Sequence, residues 1–281
     1  MLKRSDIRIR DPFVITDREN NCYYMYGTTD LEDGSLAART SFTVYKSYDL
    51  ELFSEGKVIF DGKSSGFWAT RDYWAPEVHK YNGRYYLFGS FKADGECRGT
   101  QILVSDTPDG EFKPLTKSPV TPRNWECLDG TLYIEDEVPY IVFSHEWTQI
   151  KDGEICAMEL TGDLKRPAGE PFALFKASSA VDVTEIVKGE GNYVTDGPFL
   201  YREDGRLKMI WSSFCNGRYV ILEAESDSIR GEWRHLGSKY DFDGGHAMLF
   251  YTLEGERKIS MHSPNTAGLE RACFRNFDIS L

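Results

Sequence analysis

One pattern is written five times along this chain: a small residue, Pro or Gly, then an apolar strand, a turn, and an aromatic-rich strand ending in Ser or Thr. The copies begin at Asp11 (DPFVITDRENNCYYMYGTT), Ala75 (APEVHKYNGRYYLFGSF), Asp129 (DGTLYIEDEVPYIVFSHEW), Asp196 (DGPFLYREDGRLKMIWSSF) and Gly245 (GHAMLFYTLEGERKISMHS). They start 64, 54, 67 and 49 residues apart, room for a four-stranded antiparallel unit each. Radial repetition of such units closes into a ring, which gathers distant segments around one axis. Three copies open with aspartate, so carboxylates are expected to converge at one end of the ring.

The turns support this reading. Asn82-Gly83 and Asp204-Gly205 each sit between two apolar runs, a strong signal for a two-residue hairpin. Long helical periodicity is absent, and no low-complexity segment divides the chain. The expected architecture is therefore all-β, a five-bladed β-propeller of four-stranded antiparallel blades forming a single domain over residues 1–281. The first strand of each blade should line the central channel. The end segments Ile7–Arg10 and Phe274–Ile279 alternate apolar and polar residues, so one is expected to complete a blade begun by the other and remove exposed edges.

With 281 residues, 41% hydrophobic and 14% aromatic, the chain can bury a large core. A net charge of −12 argues against nucleic acid, whose binding rests on neutralising phosphates with Lys and Arg. A neutral substrate fits better. No run of 18 apolar residues is present, so no membrane partner is expected, and the expected state is a monomer. The stretch MLKRSDIRIRDPF lacks the apolar run of a signal peptide, which leaves an intracellular protein or an exported one whose leader has been removed. Six scattered cysteines with no CxxC spacing read as reduced, buried or half-buried thiols.

Two converging carboxyls of unequal pKa are what acid/base cleavage of a glycosidic bond requires. One stays ionised to activate water, and the other keeps a proton for the leaving oxygen. A third carboxylate nearby raises the acid's pKa. Asp11, Asp129 and Asp196 are the candidate catalytic set. Asp before Pro or Gly is also a common turn residue; recurrence at one repeat position, which the other blades fill with Ala75 and Gly245, favours the site over the turn.

Arg10-Asp11-Pro12, Trp74-Ala75-Pro76-Glu77-Val78, Asp129 before a strand and Gly245-His246, in that order over nearly the whole chain, resemble the family 43 glycoside hydrolases. The resemblance implies a five-bladed propeller and inverting hydrolysis of α-L-arabinofuranosides, β-D-xylosides or related plant-polysaccharide linkages, with an oligosaccharide or polysaccharide side chain as partner and no required cofactor. It makes Asp11 similar to the family's general base and Asp129 to its pKa-modulating aspartate. Asp196 falls where the family has a glutamate before Gly-Pro as general acid. The aspartate carries its proton about 1 to 1.5 Å further back, and a misplacement of that size can cost about 100-fold in rate. Glu146 in Ser144-His145-Glu146-Trp147 is the rival acid.

Trp74, Trp147, Arg10, Arg71, Glu77, Glu146 and His246 are the candidate substrate contacts, with Tyr73, Trp211 and Phe214 as further aromatics near the channel mouth. His246 is also a candidate ligand for a structural cation such as Ca²⁺, although one imidazole makes only a partial set for an oxygen-seeking ion. The lack of an appended β-sandwich leans toward arabinofuranosidase activity. Two alternatives stay open: a family 32-type fructosidase, suggested by Trp125-Glu126-Cys127 but lacking that family's first nucleophile motif, and a carbohydrate-binding propeller that has lost its acid.

Overall fold

The structure, a computed structural model, describes residues 1–29, 40–238, 240 and 242–277. Five antiparallel sheets stand around a central channel. Their inner strands are Arg10–Asp17, Arg71–Tyr81, Cys127–Glu135, Asp196–Glu203 and Gly245–Tyr251. The second strands follow in sequence: Cys22–Thr28, Arg84–Lys92, Val138–His145, Arg206–Cys215 and Arg257–Ser263. The three middle blades have four strands each, the first has six because two short strands join its outer side, and the last has three among the described residues.

The ring closes at the last blade. Arg8 bridges Arg271 and the Ile9 amide donates to Glu270 O, so the stretch before the first inner strand lies beside the third strand of blade five, Arg271–Asn276. The chain's expected closing partner thus holds as far as Phe277; residues 278 and 279 lie outside the described residues. The hairpins behave as their dipeptides require. Asn82 and Gly83 have φ of 46° and 79°, and Asp204 and Gly205 have φ of 49° and 76°, the paired left-handed conformation that matches strand twist.

Apolar side chains fill the seams between blades. Phe42, Phe60, Tyr73 and Phe91 pack between blades one and two, and Phe88, Ile141 and Phe143 between blades two and three. Trp211 and Val142 occupy the seam of blades three and four, Ile210 and Met261 that of four and five. Burying both faces of each sheet in this way supplies the main driving force for the ring. All six cysteines are free, three of them buried and three half-buried.

A second device fixes each inner strand against its neighbour. Every inner strand carries a bulge at the same place, between Arg10 and Phe13, Trp74 and Glu77, Leu128 and Thr131, Asp196 and Phe199, and Gly245 and Met248. The first bulged residue is left-handed in all five blades: Asp11 (φ 52°), Ala75 (45°), Asp129 (56°), Gly197 (48°) and His246 (50°). In four of the five blades its freed amide reaches back to a polar side chain near the end of the second strand of the preceding blade. Ala75 N donates to Thr28 Oγ1 (2.7 Å), Asp129 N to Ser90 Oγ (2.8 Å), His246 N to Ser212 Oγ (2.8 Å) and Asp11 N to His262 Nδ1 (3.3 Å). In blades one, two and four the acceptor is the Ser or Thr near the end of the repeat, and in blade five it is His262, the neighbour of the final Ser263. At the seam of blades three and four no such bond forms: Gly197 N donates to Asp129 Oδ2 (3.0 Å), and the buried Ser144 hydroxyl has no partner among the described residues.

The same substitution should therefore have unequal effects around the ring. Ser90→Ala and Ser212→Ala strand a buried amide and should each lower unfolding free energy by about 1–3 kcal/mol. Ser144→Ala removes no bond and should fall within about 0.5 kcal/mol of the parent. Urea denaturation of the three variants measures the difference.

Candidate active site

The bulges aim their side chains into one end of the channel. A cavity of ≈ 230 Å³ opens there, lined by Arg10, Asp11, Thr28, Trp74, Leu128, Asp129, Glu146, Trp147, Asp196, Tyr219 and His246. Eight of the ten residues expected from sequence are in this wall. Asp and His are among the few side chains that tolerate left-handed backbone, which allows Asp11, Asp129 and His246 to hold their bulge positions without glycine.

The expected equivalence of the three aspartates does not hold. Asp11 and Asp129 are equivalent, but the matching residue in blade four is Gly197 and in blade five His246; Asp196 lies one residue earlier, level with Arg10, Trp74, Leu128 and Gly245. Space explains the offset. A Cβ on Gly197 would stand 2.7 Å from Cγ of His246, so the side chain that blade four contributes has to come from the preceding residue.

Asp11 Oδ2 accepts from the Thr28 hydroxyl (2.8 Å), and its Oδ1 lies 3.3 Å from His246 Nδ1 and 3.4 Å from His262 Nδ1. Asp129 Oδ2 lies 3.6 Å from the same His246 nitrogen. Asp196 Oδ2 accepts from the Tyr219 phenol (3.1 Å). Arg10 lies beside Asp11 and pairs with Glu270 (2.9 Å).

These surroundings separate the three carboxyls. Burial alone would raise the pKa of Asp11, but His246, His262 and Arg10 outweigh it and hold the group well below the usual carboxylate range. Burial pushes Asp129 up to about 6, helped by the charge of Asp11 and opposed by His246 and the Gly197 amide. Burial again, then the charge of Asp129, raise Asp196 to about 7 against the pull of His246 and the Tyr219 hydrogen bond. Burial would lower His246, yet the carboxylates around it, Asp11 and Asp129 foremost, raise it.

Two expected contacts lie elsewhere. Glu77 is buried below the cavity, 3.1 Å from His79 Nε2, and reaches Asp129 and His246 only through its charge. Arg71 turns away to pair with Asp72 (2.6 Å) and Asp94 (3.1 Å). Among the further aromatics, Tyr73 and Trp211 are wholly buried in the blade seams, and Phe214 packs on Tyr219 rather than lining the cavity. As for a cation, no group of three or more His, Cys, Asp or Glu among the described residues is arranged to hold one. His246 directs Nδ1 to the two aspartates, and its buried Nε2 has no partner among the described residues; a single imidazole nitrogen does not make the oxygen-rich set that Ca²⁺ prefers.

Sequence reasoning missed Tyr219, Thr28, Leu128 and a residue behind the wall, Arg98. The guanidinium of Arg98 lies 3.9 Å over the Trp74 ring, 3.6 Å from Glu146 and 3.3 Å from Asp72, tying two cavity residues from different blades together. Thr28 was marked by the repeat as a strand end; Tyr219 and Arg98 lie on or just before third strands, where the repeat carries no common word.

The sequence profile described as "Glycosyl hydrolases family 43" matches residues 5–274. The crystal structure of an endo-arabinase from Bacteroides thetaiotaomicron superposes with a TM-score of 0.89 at 42% identity, covering 100% of this chain and 98% of that one. An extracellular endo-alpha-(1->5)-L-arabinanase of Bacillus subtilis is 26% identical over 254 residues, 86% of this chain and 72% of its own length. An extracellular exo-alpha-(1->5)-L-arabinofuranosidase of Cellvibrio japonicus is 22% identical, covering 93% of this chain and 80% of its own length. A five-bladed ring, a carboxylate-lined cavity at its axis and a profile match from Ser5 to Phe274 together make this chain a member of glycosyl hydrolase family 43, a glycosidase that hydrolyses O-glycosyl bonds.

Proposed function

We propose that the protein hydrolyses α-L-arabinofuranosidic linkages of arabinan type by a single displacement that inverts the anomeric carbon. The observation that carries the reading is one cavity that holds two carboxyls in unlike surroundings: Asp11 between the His246 and His262 imidazoles, which favour its carboxylate, and Asp196 buried beside Asp129 and the Tyr219 phenol, where its pKa rises to about 7. Asp11 takes a proton from the attacking water. Asp196 gives one to the glycosidic oxygen as the bond from the anomeric carbon breaks. Asp129 acts on Asp196 through its charge, the second largest influence on that group after burial. Trp74 and Trp147 offer ring faces to the sugar, and Arg10 and Glu146 offer polar partners to its hydroxyls. The choice of arabinose rests on the relatives, among which an endo-arabinase at 42% identity spans the whole chain.

Incubation with linear 1,5-arabinan and with 4-nitrophenyl α-L-arabinofuranoside, the product anomer followed by proton NMR, tests the proposal. Release of arabinose or its oligomers with the β-anomer appearing first is expected; release of xylose from xylosides alone, or first appearance of the α-anomer, would overturn it.

The reaction needs Asp196 protonated, so kcat/KM should fall about tenfold per pH unit above an apparent pKa of about 7, a value belonging to the Asp129–Asp196 pair. A pH series between 5 and 9 reads this limb.

Stability should move the opposite way in the isosteric variant. Because the folded pKa of Asp196 is raised, its stabilising contribution is present below the unfolded value and lost as pH rises through the folded one. Asp196→Asn should therefore be more stable than the parent at pH 8 by at least about 1.4 kcal/mol, one pKa unit's equivalent. The gap should close toward pH 4, while activity falls by about 10²–10⁴-fold. Denaturation at both pH values, beside the rate assay, checks the pair of effects.

A further inference from the structure

Tyr219 is a cavity residue that no motif marks, and its hydroxyl touches the shortened acid. It begins the packing of the third strand of blade four, Arg218–Ser226, and is almost wholly buried. Its ring is clamped. His262 lies parallel to it, centroids 5.6 Å apart and 15° between planes, and Phe214 packs at 5.2 Å. Gly245 presses on the ring edge: a Cβ there would stand 2.7 Å from Cδ1 of Tyr219, so the inner strand of blade five has no side chain at that point. The backbone is held as well, Tyr219 O accepting from Gly244 N (2.9 Å) and Tyr219 N donating to Asp243 Oδ1 (3.3 Å). A phenol fixed on this many sides presents its O–H in one direction, toward Asp196 Oδ2 at 3.1 Å.

We propose that Tyr219 is the positioning residue that makes an aspartate serviceable as the acid at this site, by pinning Oδ2 of Asp196 so that Oδ1 carries the transferable proton toward the cavity. This rests on Asp196 being the acid. In the neutral carboxyl, Oδ2 is the carbonyl oxygen and accepts the phenol O–H. As the bond from the anomeric carbon to the glycosidic oxygen breaks, its electron pair goes to that oxygen, which takes the proton from Oδ1. Water bonds to the anomeric carbon and yields a proton to Asp11. Asp196 is left as a carboxylate, and the Tyr219 bond becomes charge-assisted, stronger than in the ground state. A shorter side chain has fewer rotatable bonds to settle, so one fixed donor suffices to orient it. Burial holds the phenol well above its ordinary pKa, which keeps Tyr219 a donor throughout.

Asp129, Glu146 and His246 also face Asp196, with Arg10 and Asp11 across the cavity, and all stay in place when only the phenol oxygen is removed. Tyr219→Phe keeps the stacked ring and deletes the hydrogen bond. Losing a donor to the ionised form raises the pKa of an acid, so the alkaline limb of the pH profile should move to higher pH. On 1,5-arabinan, whose leaving group needs a proton, kcat should fall about 10–100-fold with KM little changed. On 2,4-dinitrophenyl α-L-arabinofuranoside, whose leaving group does not, the loss should stay below about threefold. An equal loss on both substrates, or an unmoved alkaline limb, would overturn the role of Tyr219. Asp196→Asn, run alongside, separates the two ideas: collapse on arabinan with activity kept on the dinitrophenyl glycoside supports Asp196 as the acid. Retained arabinan activity removes the acid assignment and the role of Tyr219 with it. Melting curves of both variants establish that the losses arise in folded protein.

Discussion

At each seam a hydrogen bond from a left-handed residue ties a blade to the one before it, and the placement of the ring's chemistry depends on that bond. Left-handed backbone is unfavourable for most residues, and a bulge leaves an amide without its ladder partner. The hydroxyl or imidazole at the end of the preceding blade's second strand satisfies that amide, as at Thr28, Ser90, Ser212 and His262. Once the amide is held, the bulged side chain has nowhere to point except the channel mouth. Fold and site therefore share one local geometry, repeated with different side chains.

The repeat, the hairpin dipeptides and most of the cavity wall were legible in the sequence because each depends on local residue chemistry: paired left-handed turns at Asn82-Gly83, an apolar strand, a terminal Ser or Thr. The offset of Asp196 was not legible. Asp129-Gly130 and Asp196-Gly197 are the same two-letter word, yet Asp129 is left-handed in the first and Gly197 in the second. What separates them is the His246 ring, contributed by the next blade, and no local pattern encodes a collision across a seam. Arg71 illustrates the reverse error. Its guanidinium was expected to donate to sugar hydroxyls, while Asp72 and Asp94 offered it nearer partners.

The electrostatics follow from crowding rather than from any one pair. Three aspartates and a histidine share the mouth of a narrow channel, and burial penalises every charge among them. His246 lies within 3.3 Å of Asp11 and 3.6 Å of Asp129, so the available positive charge is spent on those two. Asp196, farther from any cation and next to the charge of Asp129, is left as the group for which holding a proton costs least. A fivefold scaffold thus yields an unsymmetrical set of protonation states through the uneven placement of His246, His262 and Arg10 around three buried aspartates.

The Ser144 hydroxyl, without a partner among the described residues, marks the seam where this sharing goes furthest. There Asp129 accepts the amide of Gly197, taking over the fastening that a serine performs elsewhere. The residue is at once a joint of the ring and a neighbour of the reacting groups. In a lineage drifting away from hydrolysis, Asp196 could be exchanged without opening a seam, whereas exchanging Asp129 would loosen the join between blades three and four. Persistence of that aspartate in a silent descendant would record mechanical necessity, not retained chemistry.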